Sequence, residues 1–202
     1  MKSIRWVSLL LILFFGSCVT MIKWKYGIHN PREETPATIL GFLKKMNRSD
    51  CDVFLFSDSA SYCHYLGDPR FRKNLIGSLF FNEKGLMVNV KDSVKCQWSA
   101  GYFVRNLKTD TVYETDNTFR YQDLLKQLTP LSGDAIPADS TSRFDFVTVI
   151  TWATFAGKLN ERLFAVAEAA RENKHARIRI VFLNFDMQKS WKLNSRQKLV
   201  IK

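Results

Sequence analysis

The run Phe144-Asp-Phe-Val-Thr-Val-Ile-Thr-Trp152 constrains this chain more than any other. It is almost continuously apolar and rich in β-branched residues. A strand of that composition is buried on both faces, so it belongs in the middle of a sheet rather than at its edge. A sharp turn follows at residues 153–157. Residues 158–173 then carry Leu159, Leu163, Phe164, Val166, Ala167 and Ala170 on one side, with Glu161, Arg162, Glu168, Arg171 and Glu172 on the other. That is the pattern of a helix with one face on a core. Residues 177–185 alternate Ile178, Ile180 and Phe182 with Arg177, Arg179 and Val181, as a second strand does. Strand, helix and strand in this order predict a right-handed βαβ crossover.

Upstream the signals are shorter. Pro36 opens a helix whose apolar face is Ile39, Leu40, Phe42, Leu43 and Met46, ended by Asn47-Arg-Ser-Asp50. Residues 51–57 read as a strand, and residues 58–73 as a loop or broken helix with a turn at Gly67-Asp-Pro69. Residues 78–81 and 86–90 read as a β-hairpin, with Gly85 where the turn needs positive φ. Residues 100–107 predict a helix, residues 111–113 a strand, and residues 119–128 a helix with Thr118 as its N-cap. Residues 130–143 are turn-rich and read as a loop. The chain has 202 residues and 16 Phe, enough for one domain, residues 36–202, around an aromatic core.

The N-terminus has the composition of a targeting segment. Lys2 and Arg5 precede the apolar run 6–15, and Gly16-Ser17-Cys18 follows. This resembles a bacterial lipoprotein signal, in which Cys18 is acylated and becomes the mature N-terminus. An uncleaved anchor is the second reading. The uncharged run continues to Lys23, near the minimum needed to span a bilayer, and Trp24, Lys25 and Tyr26 would lie at the interface. Simple secretion is the third. Residues 1–22 are then signal or anchor, and residues 23–35 a polar linker. All three readings imply that the domain faces the periplasm of a bacterial envelope, unless the anchor is inverted, with the membrane as its expected partner. A net charge of +11 favours anionic surfaces. The basic tail of Lys189, Lys192, Arg196, Lys198 and Lys202, with Trp191, reads first as a solvated end and second as a contact for anionic lipid head groups. A nucleic-acid partner is not expected, because no motif for one is visible and the signal leads away from it. No phosphate-binding loop is visible either, and no cofactor is expected.

The segment Ile150-Thr-Trp-Ala-Thr-Phe-Ala-Gly-Lys-Leu-Asn160 resembles the strand-to-helix turn of thioredoxin-like proteins. Those proteins carry Asp-Phe-Trp-Ala-x-Trp-Cys-Gly-Pro-Cys-Lys there. Trp152, Ala153 and Gly157 coincide, and Phe155 keeps the aromatic. Leu183-Asn-Phe-Asp186 looks like the family's next strand end. The resemblance implies an α/β fold, a thioredoxin-like central mixed sheet flanked by helices. The family's hairpin and last helix correspond to residues 76–91 and 100–107, ahead of the turn, so the element order would be permuted. Gly77 would then stand in place of the family's cis-proline. The resemblance also implies a binding groove around Gly77, Trp152, Thr154, Phe155 and Lys158.

What the turn lacks is its chemistry. A thioredoxin needs a thiolate at the helix N-terminus, where backbone N–H groups lower its pKa, and a second Cys one turn later. Ala156 and Leu159 occupy those two positions, and Ile150 occupies that of the family's buried acid. The implied role is non-catalytic binding of an unknown protein partner. The alternative is an oxidoreductase that uses Cys51, Cys63 and Cys96, with Arg70, Arg72 and Lys73 as an electropositive setting for Cys63. With Cys18 lipidated, the odd count left allows one disulfide, Cys51–Cys63 by proximity, and one free thiol; the other reading makes all three small core residues. A structural envelope protein without a ligand groove is a further reading. His29, His64 and His175 are isolated, and Cys63-His64 has no second pair at ligand spacing, so no metal is expected.

Overall fold

The computed structural model describes residues 20–21, 23–48, 51–71, 75–90, 97–133 and 143–194. Cys18, Cys96, Arg72, Lys73 and the last three basic residues of the tail lie outside them. In chain order the elements are β1 (Glu33–Glu34), α1 (Pro36–Lys45), β2 (Val53–Phe56), α2 (Ser59–Gly67), β3 (Ser78–Asn82), β4 (Leu86–Val88), α3 (Gln97–Arg105), β5 (Thr115–Arg120), α4 (Tyr121–Leu125), β6 (Leu128–Pro130), β7 (Phe146–Trp152), α5 (Leu159–Arg171), β8 (Ile178–Asn184) and β9 (Met187–Gln188). One mixed sheet runs β5-β4-β3-β7-β8-β2-β6, and β1 with β9 forms a separate parallel pair.

The central position of β7 follows from its composition. All seven residues are buried, and their two side-chain sets enter two different cores. Phe146, Ile150 and Trp152 join Ile39 and Leu43 of α1, Val104 of α3, and Leu163 and Phe164 of α5. Val147 and Val149 join Tyr62 and Tyr65 of α2, and Tyr121 and Leu124 of α4. The molecule is therefore a mixed α/β sandwich of helix, sheet and helix layers. β7 runs parallel to β8 over seven paired residues, from Phe146↔Ile178 to Trp152↔Asn184. On its other side it runs antiparallel to β3, from Ser78↔Ile150 to Asn82↔Phe146. The hairpin turn is closed by Asn82 Oδ1, which accepts from the Lys84 and Leu86 N–H groups. Gly85 takes φ +71° there, a region that favours glycine.

Several sequence expectations are corrected. Residues 119–128 are not one helix. Thr115–Arg120 is an edge strand against β4, and only Tyr121–Leu125 is helical. Burial of Phe119 in the α2/α4 core outweighs local helix propensity. Thr118 caps nothing; its N–H and hydroxyl both donate to Asp116. Residues 111–113 are not a strand, because pairing with β4 starts only at Thr115. Tyr113 instead packs edge-on against Phe103 and Phe146. Residues 59–67 form an unbroken helix, N-capped by Asp58, which accepts from the Ser61 N–H at 2.7 Å. Leu128–Pro130, read partly as loop, pairs antiparallel with β2. The largest correction concerns residues 23–35, which do not form a free linker.

Candidate functional site

The turn between β7 and α5 sits at the end of the sheet where β7 and β8 finish. Thr154–Ala156 form a single 3₁₀ turn. Gly157 then adopts φ +54° and ψ −130°, a conformation essentially restricted to glycine. A Cβ at Gly157 would stand 2.5 Å from the Gly27 carbonyl oxygen, and closer still to that of Tyr26. Backbone from the N-terminal segment therefore lies directly on this turn.

That segment is built in three steps. Residues 23–26 are helical, closed by Ile28 N–H donating to the Lys23 carbonyl and by Gly27 at φ +63°. The chain then crosses the turn. The Lys158 N–H donates to the Tyr26 carbonyl at 2.7 Å, and the His29 N–H donates to the Phe155 carbonyl at 3.1 Å. Finally β1 pairs in parallel with β9, Glu33 with Met187 and Glu34 with Gln188. The Tyr26 ring lies 5.7 Å from the Arg162 guanidinium on α5, at cation–π distance.

Beneath this strap lies a buried polar cluster. Glu34, Thr154, Asn160, Asn184, Asp186 and Gln188 are all buried. Asp186 accepts from the Thr154 N–H at 2.8 Å, the Thr154 hydroxyl at 2.9 Å and the Asn184 amide at 2.8 Å. The Thr154 hydroxyl also reaches Glu34 at 3.3 Å, and Glu34 accepts from Arg32 Nε at 2.6 Å. Burial pushes the Asp186 carboxyl above its ordinary range; the donors from Thr154 and Asn184 oppose this, and the nearby Glu34 charge adds to it. Glu34 goes the other way. Burial favours its neutral form, but hydrogen bonds from Thr38 and Arg32, with the Arg32 charge, hold it below its ordinary value. The single Thr154 hydroxyl proton cannot serve two carboxylates fully.

The two shifts have opposite consequences for stability. A depressed carboxyl contributes stability that is present above its ordinary value of 4.5 and lost as the pH falls through the depressed value. A raised carboxyl contributes stability that is complete below its ordinary value of 3.8 and lost as the pH rises through the raised value. The Glu34 contribution to the stability difference between wild type and Glu34→Gln is therefore expected to be lost as the pH falls below 4.5. Urea titrations of both proteins across acid pH measure this. A difference that widens steadily as the pH falls below 4.5 would contradict it.

The structure brings Gly77, Trp152, Thr154, Phe155 and Lys158 to one end of the sheet, but not as one open groove. Trp152 is fully buried. It stacks on Phe42 at 5.6 Å and meets Phe164 edge-on at 5.8 Å, so it belongs to the core. Thr154 is buried under the strap. Phe155 is half-buried against the α2/α4 core, and only Lys158 is exposed. Gly77 is tied to Thr151, its N–H donating to the Thr151 hydroxyl at 2.7 Å. Ala156 and Ile150 are buried.

The two described cysteines form no disulfide with each other and lie on opposite faces of the sheet. Cys51 packs beside the α1/α5 core, its Sγ 3.9 Å from an Arg171 nitrogen, while Cys63 is exposed on α2. The expected Cys51–Cys63 pair is therefore not formed. Arg70, expected beside Cys63, is instead bound to Asp68 and lies over the Phe119 ring at 4.9 Å. Among the described residues no three His, Cys, Asp or Glu side chains gather as a metal site, and no helix is long and apolar enough to cross a membrane.

Sequence reasoning missed the acid cluster. A signal was present in part. Asn184, Asp186 and Gln188 alternate with Leu183, Phe185 and Met187, which at the end of a buried strand places three polar groups on one side. Glu34 had no such signal: Arg32 and Thr38 are near it in sequence, but Thr154, which draws it into the cluster, is 120 positions away. Comparison with protein-family models, with curated proteins and with solved structures finds no match. What the fold and site define is a mixed α/β domain whose central strand-to-helix turn is closed by the chain's own N-terminal segment.

Proposed function

We propose that the chain is a non-catalytic binding protein of a bacterial envelope, held at the membrane by its N-terminal segment and built on a thioredoxin-like scaffold with permuted elements. The strand order supports the scaffold reading. In β8-β7-β3-β4 the first two strands are parallel, the hairpin strands are antiparallel, and α5 and α3 pack against one face. This is a strand–helix–strand unit beside a hairpin–helix unit, as in thioredoxin-like proteins, with the hairpin unit first in the chain.

The observation that carries the non-catalytic reading is the start of α5. Ala156 and Leu159 stand at the thiol positions, and the Lys158 amide that would help hold a thiolate is engaged by Tyr26. Neither side chain can ionise or form a disulfide. The membrane reading rests on the composition of residues 1–22 and on the interfacial residues after them, with Trp24 86% exposed. Mass spectrometry of the mature N-terminus separates an acylated Cys18 from an uncleaved anchor.

The purified chain is expected to reduce insulin disulfides no faster than dithiothreitol alone, and Cys63→Ala should change nothing. A rate above that blank which disappears in Cys63→Ala would establish the second reading, an oxidoreductase using Cys51, Cys63 and Cys96 in place of the usual pair.

A further inference from the structure

We infer that the turn Ala153–Lys158 together with the β9 edge is a binding site for a peptide whose end adds as a strand, which this chain fills with its own residues 26–34. The contacts are those of a ligand in a site rather than of a covalent connector passing by. Main chain is recognised at both ends: the Lys158 N–H takes the Tyr26 carbonyl, the Phe155 carbonyl takes the His29 N–H, and β1 adds in parallel to β9. Addition of an extended segment to a free strand edge is a recurrent mode of peptide recognition. Side chains then set specificity. Glu34 enters the buried cluster beside Thr154 and Asp186, with Arg32 closing over it from the solvent side. The site also selects its own backbone. Gly157 keeps open the space through which the Tyr26 and Gly27 carbonyls pass, and any Cβ there would shut it.

The site lies on the β8 side of the turn, away from Gly77, which flanks β7 on its β3 side. Its ligand chemistry can be read from the occupant: an aromatic residue followed by a left-handed glycine at its start, and Arg-x-Glu running into a strand at its end. Because the occupant is joined to α1 through Thr35 alone, its effective concentration is on the order of millimolar or higher, and a free peptide cannot compete at micromolar levels. The site is thus closed to partners until the membrane-proximal segment is drawn off it. The inference rests on these contacts and not on the thioredoxin-like reading, so the insulin assay bears on one and not the other.

The test uses the full chain in detergent and a fluorescein-labelled synthetic peptide of residues 23–35. His29→Pro with Glu34→Ala loosens the resident segment without touching the site. The loosened protein is expected to bind the peptide at least tenfold more tightly than wild type, read by fluorescence anisotropy. Adding Gly157→Ala should reverse that gain at least tenfold. Equal binding by wild type and loosened protein, no binding by a loosened protein with native near-UV dichroism, or binding that survives Gly157→Ala would each overturn the proposal. Should the double variant not fold, wild type decides by hydrogen exchange. The His29 and Lys158 amides should open together, with one free energy, below global unfolding, and separate opening of the two would overturn it.

Discussion

Trp152→Ala is expected to lower the unfolding free energy by about 4 kcal/mol, the range for removing a large aromatic from a packed core. The side chain has no exposed surface and lies between Phe42 of α1 and Phe164 of α5. Truncation opens a cavity between two helices that are each anchored to the sheet by other residues, so neither can collapse freely into it. Among the described residues the indole N–H has no acceptor, so the loss is one of packing alone. Trp152→Phe should for that reason cost much less, about 1–2 kcal/mol, because no hydrogen bond is broken. Phe155→Ala, at a half-buried position, should cost less than the Trp152→Ala change. Urea unfolding with unchanged m-values measures all three. A Trp152→Ala protein as stable as wild type would mean that Trp152 faces a groove, as its place in the turn had led us to expect.

Asp186→Ala is expected to cost about 3 kcal/mol, because it leaves buried donors without an acceptor. The Thr154 N–H and the Asn184 amide would both lose their partner. The effect should also be non-local. Asp186 also accepts from the Thr154 N–H, so removal of the acid loosens the turn whose Phe155 carbonyl holds the His29 N–H. Hydrogen exchange of residues 28–34 should therefore accelerate in Asp186→Ala while that of β7 keeps its order of protection. Asp186→Asn retains one acceptor oxygen and should fall between wild type and Ala. If Asp186→Ala were within 0.5 kcal/mol of wild type, which is the usual spread of an unimportant surface change, the buried cluster would not be what holds the strap.

The strap explains why the groove reading of the turn was incomplete. Apolar periodicity and turn chemistry locate elements along the chain, and they placed β7, α5, β8 and the β3–β4 hairpin within a few residues of their ends. They are silent about which segment crosses which end of a sheet. Residues 23–35 have a polar composition, with Pro31 and two Glu, and composition of that kind reads as a linker. Nothing local marks Glu34 as a buried carboxylate. It becomes one only because the chain folds it against Thr154, 120 residues further on, whose hydroxyl it meets. The failed helix at residues 119–128 has a similar cause. Thr115–Arg120 became an edge strand because β4 offered a partner and the α2/α4 core offered a place for Phe119.

By itself the sequence determined the central strand, because seven consecutive residues that can be buried on both sides have only one place in an α/β domain. It also determined that the turn after that strand carries no thiol, since side-chain identity needs no fold to be known. Only the tertiary structure decided that Trp152 is core, that Cys51 and Cys63 lie on opposite faces, and that the turn is already occupied. Those facts depend on contacts between residues far apart in the chain. Burial and hydrogen bonding at such contacts are properties of the packed molecule, with no local pattern to announce them.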